Sequence, residues 1–414
     1  EPVVVELPVS EVKRILGFEI PQSEIEDILR RLQFTVAASS DILTVTMLDH
    51  RMDIGTGVIG QADLIEEIAR IYGYNRIPDT QISDAIPPQH GNVKLEREEM
   101  VRDILAGVGL REVINYRLTT PELEARVTPT GAKSSWGSHQ YITLANPISN
   151  DKTVMRHTLM AGLLDIAERN EHFQRRQALF EIGNVYYPDP GQLLPQEPAR
   201  LGMVMTGLRQ LPDWQHGLDQ IENMDFFDLK GVVVRLLAGL RIEPEAIRYE
   251  AAEHNSFYPG RTARLMIHGE TIGTLGELHP LVRENYNPGS DLQKPILAAE
   301  FDLDALLAFA RPGHPVKPIP TQPAVYQDIS LLVNRSLSAA EVERVIWKAG
   351  GSLLVGVELF DVYTGEQVPA NQKSLAYSLT YQHPEETLTD KRVAQVHQKI
   401  VAAVETQLDA KLRA

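Results

Sequence analysis

The sequence contains no cysteine. That absence removes disulfides, thiolate metal sites and cysteine nucleophiles, and it suits a reducing compartment, so the chain is expected to be cytoplasmic. Basic residues are in short supply: 40 Lys and Arg stand against 56 Asp and Glu, a formal net charge of -16. Such a chain has no overall attraction for a polyanion. Contact with nucleic acid has to come from local basic patches, or from a partner that supplies most of the affinity. No apolar run approaches the ~20 residues that span a bilayer, so no membrane span is expected. The opening EPVVVELPVS has neither a basic n-region nor an apolar core and does not read as a signal peptide. It lacks an initiator Met and enters a strand-like stretch at once, so a piece of a longer protein is expected. The P-loop pattern GxxxxGKS/T, the zincin pattern HExxH and the serine-hydrolase pattern GxSxG are all missing.

What is present is ordinary globular material. Of 414 residues, 43% are hydrophobic and 23% charged. At roughly 150 residues per domain this suggests two to four domains. There is no internal repeat and no low-complexity segment.

Residues 1–80 read as a small α/β unit, with helices over 8–16, 23–32 and 62–72 and strand-like alternation over 34–45. An irregular stretch from Ile77 to about Gly91, carrying Pro78, Pro87 and Pro88, forms a first connector. Residues 92–310 form the largest block, with helices over 95–105, 159–170 and 227–237. Strands are expected over 178–187, 200–207, 263–267 and 298–303. The two types do not alternate strictly, which favours an antiparallel or mixed sheet with helices on one side. Pro312, Pro315, Pro318, Pro320 and Pro323 mark a stiff second connector. Beyond it, a strand at 328–333, a helix at 339–349, strands at 356–362 and 374–381, a helix at 389–408 and a short strand at 411–413 give the order β-α-β-β-α-β of a ferredoxin-like domain. The fold class is therefore α+β, in several domains.

Three places carry possible chemistry. Arg51-Met52-Asp53-Ile54 is followed by the segment ADLIEEIARIYGY, in which Asp63, Glu66 and Glu67 share one side of a helix. Clustered hard oxygen ligands suit Mg²⁺. On the bare sequence an N-cap at Asp63 with a capping-box partner at Glu66 is the more common source of such a pattern. In MRHTLMAGLL, Arg156 and His157 suit a phosphate or carboxylate, or they cap a helix packed through Leu159, Leu163 and Leu164. Tyr258-Pro259-Gly260-Arg261 and IGTLGELHP read as turn-rich segments, and their glycines do not form a dinucleotide fingerprint. In the last domain, Phe360, Tyr363, Tyr377 and Tyr381 suit base stacking or core packing. Residues 317–413 hold ten basic and eleven acidic side chains, so charge gives RNA binding little support there.

Taken in order, these blocks resemble the beta subunit of bacterial-type phenylalanine–tRNA ligase, over essentially the whole chain. Residues 1–80 resemble its B5 domain through ADLIEEIARIYGYNRIP. Residues 92–310 resemble its class II synthetase-like core through MRHTLMAGLLDIAERN, LFEIGNVY, FFDLKGVV, YPGRTARL and IGTLGELHP. Residues 317–414 resemble its ferredoxin-fold anticodon-binding domain through LFDVYTGEQVP, KSLAYSLTYQ and the helix start TLTD. The resemblance implies the C-terminal half of a non-catalytic subunit, without the N-terminal tRNA-binding and editing modules. It implies a heterotetramer of two alpha and two beta subunits, in which alpha binds phenylalanine and ATP and charges tRNA(Phe). It also implies Mg²⁺ ligands at Asp53, Asp63, Glu66 and Glu67. The stretch between Asp53 and Asp63 is about four residues longer than the family pattern, which puts Asp53 in doubt as a ligand. The family often has an Arg-Asp pair where this chain has Gln327-Asp328. Candidate RNA contacts are Arg335, Lys373, Lys391 and Arg392. Two rival readings are a single-chain ligase of organellar type and a stand-alone RNA-binding scaffold.

Overall fold

The computed structural model describes residues 2–79, 85, 86, 88, 90–134, 136, 140–286, 294–313, 316 and 318–413. Pro87 of the first connector, and Pro315 and Lys317 at the second, lie outside the described residues. The chain divides into two compact units, Glu1–Gly91 and Asn92–Ala414.

In the first unit the elements are β1 (Val4–Pro8), α1 (Val9–Leu16), α2 (Gln22–Arg31), β2 (Thr35–Ser39), β3 (Ile42–Thr46) and α3 (Gly57–Tyr72). The strands form one antiparallel sheet in the order β1-β3-β2. Alternation along β1 turns Val5 and Leu7 inward, and β3 adds Leu43 and Val45. The helices close over this face with Val12, Ile25, Ile28, Leu29, Leu64, Ile65 and Ile68. Expectation and structure differ at α3, which begins at Gly57, five residues before Ala62. The GVIGQA stretch that reads as a loop insertion is an extra helical turn. Its Gly60 makes that turn possible, because a Cβ there would lie 2.7 Å from Val5 Cγ2.

The second unit contains two main sheets. Its first part comprises α4 (Val93–Gly107), β4 (Arg111–Glu112), β5 (Leu118–Thr119), α5 (Pro121–Ala125), β6 (Val154–Met155), α6 (Met160–Asn170), β7 (Arg176–Asn184) and β8 (Ala199–Gly207). Then come α7 (Phe226–Gly239), β9 (Ile247–Ala251), β10 (Phe257–Ile267), β11 (Glu270–Leu278), α8 (Pro280–Tyr286), β12 (Ile296–Asp302) and α9 (Leu303–Ala308). Seven of these strands form one sheet in the order β4-β7-β8-β12-β11-β10-β9. Every pair in it is antiparallel except β4 with β7.

Helices cover both faces of that sheet, not one side as the sequence suggested. On one face α4, α7 and α9 pack against Ala178, Phe180, Met203, Met205, Ala299 and Phe301. On the other, α6 and α8 pack against Leu179, Val204 and Ala298. Burial on both faces explains why β7, β8 and β12 read as nearly continuous apolar runs. The stretches rich in turn residues, 258–261 and 272–278, lie in strands. Tyr258 to Arg261 lie within β10 at a register shift, and Ile272 to Leu278 lie within β11. A bulge and strand glycines imitate turn composition.

The last part holds β13 (Val325–Asn334), α10 (Ala339–Gly350), β14 (Leu354–Tyr363), β15 (Gln372–Tyr381), α11 (Asp390–Leu408) and β16 (Lys411–Leu412). Strand order β14-β15-β13-β16 with both helices on one face is the ferredoxin-like arrangement. A capping box between Ser338 and Glu341 starts α10.

Candidate metal and nucleic-acid sites

The acidic cluster of the first unit is built on α3 and the loop before it. Asp63 is the seventh residue of α3, so it is no N-cap, and the N-cap residue Thr56 makes no side-chain cap bond. Instead, Asp63 Oδ2 accepts the Gly55 N–H at 2.8 Å and ties the loop to the helix. Asp53 is held by Arg51 through two parallel bonds of 2.9 and 2.7 Å. The same guanidinium lies 3.4 Å from Glu67, whose other neighbour is Arg70 at 2.5 Å. The Arg51 guanidinium holds the Asp53 carboxyl down to about 2. Arg70 and Arg51 likewise lower the Glu67 carboxyl, against desolvation. Glu66 is exposed. The four carboxylates therefore do not converge on one point. Among the described residues no group of three or more His, Asp or Glu side chains has metal-holding geometry. As arranged, these donors do not fit a shared Mg²⁺.

The second cluster lies at the start of α6, under the MRHT segment. Arg156 is buried, and its Nη1 donates to Glu181 Oε1 at 2.6 Å while its Nε donates to Asn184 O at 2.9 Å. It is thus neither a helix cap nor a free anion-binding group. Glu181 also accepts from Asn115 Nδ2 at 2.7 Å. Glu300 Oε2 accepts from Thr158 Oγ1 at 2.7 Å and from the Leu159 N–H at 2.8 Å, so this strand carboxylate is what satisfies the helix start. Burial pushes the Glu300 carboxyl up. Glu124 on α5 accepts the His157 N–H at 2.8 Å and the Tyr141 hydroxyl at 3.1 Å. Burial raises its carboxyl to about 7. The His157 ring stacks on Tyr141, with centroids 4.1 Å apart. Arg156 with Glu181, Glu300 with Thr158, and Glu124 with the His157 N–H thus pair largely with one another in the interior. Glu181 and Glu300 flank Gly202 in register across β7, β8 and β12, and α6 lies directly on that row.

The ferredoxin-like sheet has an open face. Tyr326, Asp328, Glu358, Ser378 and Thr380 point there, with Ser378 paired to both Asp328 and Glu358. Two carboxylates flanking Ser378 make the centre of this face repel phosphate. Tyr377 and Tyr381 are fully buried, and their hydroxyls meet Ala339 O and His397 Nδ1. They are core residues, not stacking platforms. Phe360 is exposed at a bulge, and Tyr363 lies under the Arg413 guanidinium at 5.0 Å. The four basic candidates are not brought together. Arg335 and Lys373 sit at the β13–β15 end marked by Asn334 and Gln372. Lys391 and Arg392 open α11 at the opposite end, where Thr387 bonds Gln322 ahead of β13. Arg392 is paired with Glu386 at 2.8 Å. Desolvation and the nearby Arg335 charge lower the Lys373 ammonium, so those two cations share a site.

A family model for the phenylalanyl-tRNA synthetase beta chain CLM domain matches residues 77–303. The chain belongs to the phenylalanyl-tRNA synthetase beta chain family. The tRNA synthetase B5 model matches residues 5–74, and the ferredoxin-fold anticodon-binding model matches residues 320–413. The phenylalanine–tRNA ligase beta subunit of Clostridium acetobutylicum is 35% identical over 418 residues, covering 100% of the chain and 49% of that protein. Its counterpart from Geobacillus kaustophilus is 37% identical, covering 99% and 49%. That of Bacillus subtilis is 35% identical, covering 97% and 48%. The chain thus spans about half the length of the curated relatives it matches.

Sequence reasoning missed Glu124, Glu181 and Glu300, which lie far apart in the chain. For two of them a signal exists. Glu181 in ALFEI and Glu300 in LAAEF interrupt apolar runs that read as strands buried on both faces, where an acid needs a buried partner. No helix among the described residues is long and apolar enough to cross a membrane.

Proposed function

We propose that this chain serves a phenylalanine–tRNA ligase as a non-catalytic beta component in the cytoplasm. It assembles with the alpha subunit into a heterotetramer of two alpha and two beta subunits. Alpha binds ATP and phenylalanine, and the ferredoxin-like domain holds the anticodon end of tRNA(Phe). The working division is 1–80, 92–310 and 317–414. The observation that carries the non-catalytic reading is the packing of α6 on the seven-stranded sheet. A Cβ at Gly202 would lie 2.7 Å from Leu163 Cδ1, and the polar groups nearby are bonded to one another. A face filled in this way supports a scaffold and leaves no room there for an adenylate.

Co-expression with the alpha subunit, followed by sizing and phenylalanine charging of tRNA, tests the reading. The expected result is a stable complex that charges tRNA and an isolated chain inert in phenylalanine-dependent ATP–pyrophosphate exchange. Exchange by the isolated chain would overturn the reading in favour of a single-chain ligase. Tight RNA binding without alpha at physiological salt would favour a stand-alone scaffold.

A further inference from the structure

Three of the four carboxylates that the resemblance assigns to Mg²⁺, namely Asp53, Asp63 and Glu67, are already engaged within the chain, and Glu66 is exposed. We propose that the Arg51 guanidinium takes over the bridging role of a divalent cation in the first unit, so that Asp53, Glu67 and Arg70 join loop to helix without metal. The guanidinium is seated rather than loose. Its side chain is 19% exposed, it makes a two-bond fork to Asp53, and it lies 5.4 Å from the Phe34 ring centroid. A planar fork matching a carboxylate is the strongest arrangement an arginine offers. Glu67 is gripped from two sides, by Arg51 and by Arg70. Asp63 is committed to the Gly55 N–H. A hydrated Mg²⁺ keeps several waters and needs near-octahedral oxygen donors, so it would have to displace bidentate guanidinium bonds to enter.

The loop before α3 explains how this arrangement forms. It runs back along the helix, with the Gly55 N–H on Asp63 and the Arg51 guanidinium on Glu67, about one turn further along. From that loop a long side chain bridges Asp53 to Glu67, and Arg51 supplies it.

The test uses the whole chain, stripped with EDTA and titrated with magnesium chloride by calorimetry, with melting followed in EDTA and in excess Mg²⁺. The expected result is no saturable binding and melting temperatures within about 1 °C of each other. Arg51→Gln should then create binding, because Asp53 is released and Glu67 keeps only Arg70, and Mg²⁺ should raise the melting temperature of that variant. Saturable Mg²⁺ binding by the unmodified chain that is lost in Asp63→Asn or Glu67→Gln overturns the proposal. So does a fall of about 4 °C or more in EDTA, the size expected when a bound ion is removed from a small unit. A folded R51Q chain indifferent to Mg²⁺ also overturns it. If R51Q does not fold, the unmodified chain's titration decides alone. None of these readouts depends on the alpha subunit or on tRNA charging.

Discussion

Gly202 of β8 lies against Leu163 of α6 so closely that a Cβ at 202 would be 2.7 Å from Leu163 Cδ1 and 3.0 Å from Leu159 Cβ. The contact seals one face of the seven-stranded sheet, and it depends on the smallest side chain at that point. Gly202→Val should therefore destabilise the second unit through overpacking by about 1–3 kcal/mol. Urea unfolding followed by tryptophan fluorescence measures it. An unchanged midpoint would mean that α6 does not seat on the sheet as described.

The same face hides an ion pair. Arg156 and Glu181 have side chains 6% and 2% exposed and lie 2.6 Å apart. Arg156→Ala leaves a buried carboxylate with only its Asn115 bonds, and an unpaired buried charge typically costs about 3–5 kcal/mol. Replacing both members, as Arg156→Met with Glu181→Leu, should recover much of that loss, because apolar pairs of similar volume are tolerated. Unfolding free energies of the single and double variants decide. Equal loss in both would show that the Asn115 and Asn184 bonds matter more than the pair itself.

Much of this architecture is legible from pattern alone. The ferredoxin-like order can be read because β13 and β15 alternate at period two and Ser338 with Glu341 announces α10. The early start of α3 is not legible, because Gly57 and Gly60 are punctuation in a sequence, whereas in the fold Gly57 opens the helix at a positive φ of 59° and Gly60 packs closely against Gly55 and Val5. Helices on both sheet faces are hard to foresee, since a strand buried on both faces resembles any short apolar run. On α3, Asp63 and Glu67 stand one helical turn apart, as their spacing requires. What spacing cannot give is the counter-charge: that Arg51 reaches Glu67, and Arg156 reaches Glu181, is a matter of tertiary contact.

RNA binding should depend unequally on the basic candidates. Arg335 and Lys373 reinforce one another at one end of the ferredoxin-like sheet, while Arg392 is balanced by Glu386. In a complex with alpha, changing Arg335 and Lys373 to Ala should weaken tRNA binding and reduce the salt slope by about 1 per lost phosphate contact. Arg392→Ala should do markedly less. Filter binding across a salt series reads both. A larger effect from Arg392 would place the contact surface at the α11 end.

Glu124 should leave a pH signature. Burial raises its carboxyl to about 7, and Glu300 raises it further, while the His157 N–H and the Tyr141 hydroxyl act in the opposite direction. In the unfolded chain the group titrates near the ordinary ~4.3 of a glutamate. Between those values the folded state binds more protons than the unfolded state, so stability falls as pH rises through the interval and levels off above about 7. The full span is worth at most about 4 kcal/mol. His254 has the opposite sign: burial against Trp136 and Phe257 lowers it to about 4, so its contribution grows as pH rises from there towards the ordinary ~6.5. The two partly cancel at mildly acidic pH, and the Glu124 slope stands alone only close to neutrality. Glu124→Gln removes the titration while keeping an acceptor for the His157 N–H. The difference in unfolding free energy between the unmodified chain and E124Q, measured from pH 5 to 8, should therefore drift in favour of E124Q up to about pH 7 and level off above it. A pH-independent difference would mean that Glu124 is ionised throughout, with its charge met by a group other than those bonded to it here.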